Sequence, residues 1–241
     1  MQRAPLSFLA LILALAAVPA RADPISLIAF AIPPLIDERD GKAVGPGADL
    51  AAELAKAAGI DPVVTVLPVG RAYLEAERGG RILVMTTRTP DREPKFTWVA
   101  ESFVDQLCFA TVPPHPRVDT LDEARSLESI GVRSYAFAEE FLRKNGFDRN
   151  LAPTTSSNFS AQQLMRGRID AWATSRAMIV DIWRNEKLDP SELQIGTSVA
   201  PMPYWIAASK DVAPDIILKM RMRAQEMKSD GTYDKLFAAF K

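Results

Sequence analysis

The feature that most constrains the fold is an alternation repeated along most of the chain: a short apolar run, a turn residue, then a longer segment with helical spacing. Residues 25–32 are an apolar run stopped by Pro33-Pro34, and residues 49–58 set Leu50 and Leu54 four apart before Gly59. Residues 62–67 read as a strand, 71–78 as a helix ended by Gly79-Gly80, and 82–85 as a buried strand. Strands separated by helices pair in parallel, because the crossover needs a helix and not a tight turn. The order β-α-β-α-β therefore predicts an α/β fold with helices on both faces of the sheet. After a polar loop the pattern resumes, with strands expected at 107–112, 130–132, 169–173 and 203–209. Helices are expected at 120–127, 136–144, 178–184 and 214–227, with another ending at Gly167 and a short last one opening at Gly231. Thr120/Glu123 and Ser160/Gln163 both have capping-box spacing. Two such sets of strands and helices overfill one small sheet, which predicts two lobes.

Composition then excludes whole classes of function. One His and one Cys among 241 residues leave no multi-His or Cys-rich metal site and no disulfide framework. With 29 basic against 30 acidic residues and no basic run, nucleic acid is not an expected partner. No cofactor, no metal and no catalytic residue are expected. Cys108, inside Leu107-Cys108-Phe109-Ala110, reads as a buried, inert thiol. Residues 1–22 read as a cleavable signal peptide, with Arg3 as the charged start and Ala20-Arg21-Ala22 as the cleavage site. Its apolar stretch at 6–18 falls short of the ~20 residues that span a bilayer. A soluble, monomeric product in the periplasm, starting at Asp23, is the expectation.

Three strand ends carry polar clusters. In open α/β sheets ligands sit at the carboxyl ends of strands. Thr86-Thr87-Arg88-Thr89-Pro90-Asp91-Arg92 follows the strand at 82–85. Thr89 is a good N-cap and Pro90 a good first helical residue, so one helical turn is expected there. Arg92 in that turn can grip a carboxylate with two hydrogen bonds, and Thr87 adds a hydroxyl. Arg133-Ser134-Tyr135 and Thr174-Ser175-Arg176 occupy the same strand-to-helix position elsewhere, where Ser134 and Ser175 are also plausible helix caps. Together the clusters describe a cleft for a small carboxylate.

Gly41-Lys42-Ala43-Val44-Gly45, Ala48-Asp49-Leu50-Ala51, Thr89-Pro90-Asp91-Arg92, Gly167-Arg168-Ile169-Asp170-Ala171 and Asp230-Gly231-Thr232-Tyr233 occur in this order along the chain. In that order the sequence resembles the family 3 extracellular solute-binding proteins, the periplasmic receptors of polar amino-acid ABC importers. The resemblance covers residues 23–241. It implies a two-lobed periplasmic-binding-protein fold of type II, with the ligand cleft between the lobes. Lobe 1 is expected to combine 23–103 with 202–241, and lobe 2 to be 104–201.

The resemblance also implies site residues and a partner. Arg92 matches the arginine for the ligand's α-carboxylate, Thr87 a contact just before it, and Arg133 and Ser134 contacts from the second lobe; Tyr135, next in the same strand-end cluster, is expected as a ligand contact as well. Position 175 usually holds an acid for the ligand's ammonium, and this chain has Ser175. That leaves three readings open: a carboxylate without an amino group, a solute with extra acidic character, or an ammonium met instead by Glu101 or Asp105. Arg88 and Arg133 are expected to add positive charge near the cleft. The implied function is capture of a polar amino acid or related organic acid for an inner-membrane ABC permease. The alternatives are a stand-alone signalling receptor and a dehydratase-like enzyme on the same scaffold.

Overall fold

The computed structural model describes residues 24–240, so the expected signal segment lies outside the described residues. In chain order the elements begin with β1 (Ser26–Ala29), β2 (Asp37–Arg39), β3 (Lys42–Val44), α1 (Pro46–Ala58), β4 (Val64–Val66), α2 (Val69–Arg78) and β5 (Arg81–Thr87). Next come β6 (Thr97–Thr111), α3 (Leu121–Ala124), β7 (Ile130–Arg133), α4 (Phe137–Lys144), β8 (Leu151–Thr154) and α5 (Ser157–Met165). The chain closes with β9 (Ala171–Ser175), α6 (Arg176–Asn185), β10 (Gln194–Ile195), β11 (Ala200–Ala208), α7 (Pro214–Ser229) and α8 (Thr232–Leu236).

One sheet runs β4-β1-β5-β11-β6-β9-β7-β8, with β10 added to β6. Its two ends are parallel: β4-β1-β5 on one side and β9-β7-β8 on the other. Between them lies an antiparallel pair, β11 and β6, registered from Ala200↔Leu107 to Ala208↔Thr97. The fifteen-residue β6 serves both ends, since its first part pairs with β11 and its last part with β9. A strand that long joins two sets of parallel strands without a linker. Strand carboxyl ends from both sets, at Thr87, Arg133 and Ser175, thereby meet across β11 and β6.

Periodicity explains which faces are buried. On α1, Leu50 and Leu54 are fully buried, and α1 packs on α7, whose Met220, Ala224 and Met227 face the core. On β9, Ala171, Trp172 and Ala173 have no exposure, as expected of a strand covered on both faces. Cys108 is fully buried, and burial pushes its thiol pKa up.

Several sequence expectations need correction. The helix expected at 49–58 begins earlier: Gly45 caps α1 and Pro46 takes its first turn, the position where a missing N–H costs nothing. The polar segment before residue 107 is no loop but half of β6, whose partners lie a hundred residues away in β11. Ser160/Gln163 is not a capping box, because α5 begins earlier, at Ser156, whose hydroxyl accepts from Phe159 N at 3.3 Å. Thr120/Glu123 does form the box, with both reciprocal hydrogen bonds present. The β2–β3 hairpin and β8 were not anticipated; β8 contains Pro153, which argues against a strand except at a sheet edge, where it lies.

Candidate functional site

Arg92 is the most heavily bonded of the expected site residues. The segment after β5 makes a turn, with Arg92 N and Glu93 N donating to Thr89 O at 3.0 and 2.9 Å. It does not continue into a helix, and the Thr89 hydroxyl is buried without a partner, so Thr89 does not cap through its side chain. The turn folds Arg92 back over the strand end, where it is 8% exposed. Its Nη1 donates to Thr87 O at 3.2 Å and to the Thr87 hydroxyl. Its Nη2 donates to Tyr135 O at 3.3 Å and pairs with the Glu140 carboxylate at 3.1 Å. The guanidinium also lies over the Tyr73 ring, 4.5 Å from its centroid. Arg92 stands on the β5 side and both Tyr135 and Glu140 on the β7 side, so this one side chain ties the two sides together.

Arg133, at the end of β7, reaches back the other way. Its Nη1 donates to Ala31 O at 2.6 Å, and its guanidinium lies 5.4 Å from the Phe30 ring centroid. Its Nε is buried without a partner. Burial lowers its pKa, and only the phenols of Tyr204 and Tyr73 oppose that shift. Arg133 makes no ion pair among the described residues. It lines a cavity of about 20 Å³ with Phe30, Tyr73, Thr87, Met202 and Tyr204, room for about one water. No carboxylate lines that cavity.

The remaining expected residues separate. Ser134 is no helix cap: α4 starts after Ala136 without a side-chain cap, and Ser134 N donates to Thr154 O at 2.8 Å in sheet fashion. Tyr135 is in the left-handed region (φ 63), which turns its carbonyl to Arg92. Its ring is 69% exposed and faces the bare Cα of Gly70 on α2. Arg88 is not in the cleft; Glu93 holds it in a two-bonded pair at 2.7 and 2.6 Å, over Trp98 and Trp205. Ser175 is 1% exposed and caps α6, its Oγ accepting from Met178 N at 3.2 Å. Ser175→Ala should cost about 1 kcal/mol of stability through that lost cap, measured by urea unfolding.

Two acids left open in the sequence now have different surroundings. Glu101 pairs across with Trp205, and its carbonyl accepts from Tyr233 OH at 2.6 Å beside the C-terminal helix. Asp105 is 6% exposed and sits two residues from Leu107, the partner of Ser175. Residues that sequence reasoning missed are Glu140, Tyr73 and Tyr204. Nothing local marks Glu140, which reads as one more solvent acid spaced four before Lys144 on α4. Tyr73 is marked only by its helix face; its hydroxyl shares a hydrogen bond with Thr86 at 2.8 Å.

The sequence matches no protein-family profile and no curated relative. Solved structures match over nearly the whole chain. An ancestral arginine-binding protein bound to arginine superposes at a TM-score of 0.79, with 21% identity over 90% of this chain and 97% of its own. A histidine kinase sensor domain with similarity to periplasmic binding proteins gives 0.80, with 16% identity over 91% and 96%. An amino acid ABC transporter substrate-binding protein from Streptococcus pneumoniae, bound to L-arginine, gives 0.75, with 15% identity over 89% and 93%. The chain therefore has the α/β fold of the periplasmic binding proteins. The neighbours agree with the resemblance to family 3 solute-binding proteins, and these three are binding or sensing proteins.

Proposed function

We propose that this chain is a periplasmic solute-binding protein that closes on a small carboxylate-bearing solute, a polar amino acid or related organic acid, and hands it to an inner-membrane ABC importer. The observation that carries the reading is the convergence of Arg92 and Arg133 from opposite sides of the β11–β6 pair. The Arg92 guanidinium lies over Tyr73 and bonds to Thr87, the Arg133 guanidinium lies by Phe30 and lines a cavity with Tyr73 and Thr87, and among the described residues Glu140 is the acid that pairs with either. Two desolvated cations beside apolar walls form an anion site. The lobes are read as 23–103 with 202–241, and 104–201. Their support is the pairing of β11 with β5 and the packing of α7 on α1. The ligand contacts are read as Thr87, Arg92, Arg133, Ser134, Tyr135 and Ser175. Export by cleavage after Ala22 and a monomeric state complete the proposal.

Native mass spectrometry of the purified protein tests it, by weighing what co-purifies. A carboxylic acid or amino acid released unchanged is the expected result. A neutral or purely cationic molecule would overturn the reading, and a solute returned with its mass altered would favour the dehydratase-like alternative. The sensor-domain neighbour favours a second reading, a receptor that signals without transport. Solute uptake that persists after deletion of the gene would support that reading.

Glu140 competes for the same cation as the solute. Its carboxylate occupies Arg92 Nη2 and repels a second carboxylate arriving there. Glu140→Gln should therefore tighten binding of a carboxylate solute by a few-fold, read by calorimetry.

A further inference from the structure

We propose, resting on the carboxylate reading above, that the chain carries a second oxyanion site, formed by Arg133 and the amino-terminal ends of α2 and α5, which takes a carboxylate or phosphate group other than the one held at Arg92. A cavity of about 320 Å³ lies where these two helices begin. Pro68 and Val69, at the start of α2, line one part of it, and Ser156 and Ser157, at the start of α5, line another. Each helix start leaves backbone N–H groups without an intrahelical acceptor, and its dipole favours negative charge. On α2 no side chain caps them. On α5 the Ser156 hydroxyl accepts from Phe159 N, while Ser157 N and Asn158 N donate to no described residue. Two helices, of ten and nine residues, thus turn their positive ends to one cavity.

Two side chains point to the occupant. Ser157 is 5% exposed, and its Oγ is buried without a hydrogen-bond partner. Arg133 has its Nε buried without one, and the Ala31 carbonyl that it does reach carries no charge. Both residues line the cavity. A cation and a hydroxyl taken out of water without partners are costly, and an oxyanion answers both, because it accepts several N–H and O–H bonds at once. The acids of the cavity are Asp37 and Glu38, on β2. Neither pairs with Arg133, and Asp37 Oδ1 instead accepts from Glu38 N at 2.8 Å. Glu38 is exposed, so water and salt screen its charge, and Asp37 sets a repulsion that a neutral amide would lift. Arg133 also lines the small cavity beside Thr87, and Arg92 bonds to Thr87, so one solute can reach both arginines. The oxyanion has two possible sources with the same chemistry: a second charged group on the solute, or a free anion such as phosphate.

Calorimetry tests the proposal with matched pairs: succinate against butanoate, glutarate against pentanoate, aspartate against asparagine and glutamate against glutamine. Inorganic phosphate alone is measured beside them. In at least one pair the doubly acidic member should bind about tenfold tighter or more, as one added charge-assisted contact gives, or phosphate alone should bind. The first result places the oxyanion on the solute, and the second makes it a free anion. Ser157→Asp sets a fixed negative charge in the cavity at a helix position that favours acids, so it should keep or raise the melting temperature. It should abolish the preference within the pair, or the phosphate binding, and leave the singly acidic member within about three-fold of wild type. Asp37→Asn should tighten the doubly acidic member, or phosphate, by a few-fold. Equal affinities within every pair together with no phosphate binding overturn the proposal, and so does a preference or phosphate binding that Ser157→Asp leaves untouched. Singly acidic solutes whose binding is lost in Arg92→Ala, with no preference in any pair and no phosphate binding, would leave the carboxylate reading standing and this one lost. Phosphate binding that Ser157→Asp abolishes, with no carboxylic acid bound at all, would do the reverse.

Discussion

Arg92→Ala should weaken solute binding by roughly thirty-fold or more while leaving the fold intact. A two-bonded arginine–carboxylate pair out of water is strong and specific in geometry. Truncating one partner of such a pair costs on the order of 2–5 kcal/mol, and ~1.4 kcal/mol is tenfold. In the structure Arg92 is already oriented by Thr87, Tyr73 and Tyr135, so little side-chain entropy remains to be lost on binding. Arg92→Lys should not rescue, because one ammonium cannot reach the Thr87 carbonyl, the Tyr135 carbonyl and a carboxylate in the planar spread that a guanidinium fits. Loss of Arg92 also strands Glu140, but that side chain keeps 21% exposure and can turn to water or to Lys144. Calorimetry on the co-purified solute measures the affinity, and circular dichroism checks the fold. Wild-type affinity in Arg92→Ala would remove Arg92 from the site.

What was legible in the sequence follows from the range of the forces involved. The β5–turn–Arg92 segment could be read because strand, turn and arginine are neighbours in the chain, and Thr87 and Arg92 are bonded across five residues. The caps at Thr120 and Ser175 are equally local. The first half of β6 could not be read, since its apolar and polar residues alternate imperfectly around bulges opposite Tyr204 and Ile206. What fixes it as a strand is pairing with residues a hundred positions away. Glu140 and Tyr204 were invisible for the same reason: each owes its role to a partner on the other side of the cleft. Ser134 looked like a cap because serine often is one, yet the backbone of β7 runs on through it to pair with Thr154. Glu101 and Asp105 are four residues apart, and a register shift in the β11–β6 pairing falls between them, which spacing in the sequence does not reveal.

Arg133→Met should move stability and affinity in opposite directions. The side chain places a cation where its Nε has no partner, where aromatic rings replace water, and where no carboxylate answers it. Taking an ion out of water costs several kcal/mol, and one carbonyl contact, to Ala31, returns only part of that. Methionine has similar reach, fills the space beside Phe30 and Met202, and needs no hydrogen bond. Replacing a poorly compensated buried charge by a packed apolar chain is commonly neutral or stabilising by about 1–4 kcal/mol. A gain near the low end should raise the melting temperature of the protein alone by roughly 2–4 °C for a chain of this size. Binding of a carboxylate solute should fall by roughly tenfold or more, because the cation that lines the cavity is gone and ~1.4 kcal/mol is tenfold. A residue kept only for packing would show the reverse, with lower stability and unchanged affinity. Melting curves without solute and calorimetry with it therefore distinguish a site that trades stability for binding from one that merely fills space.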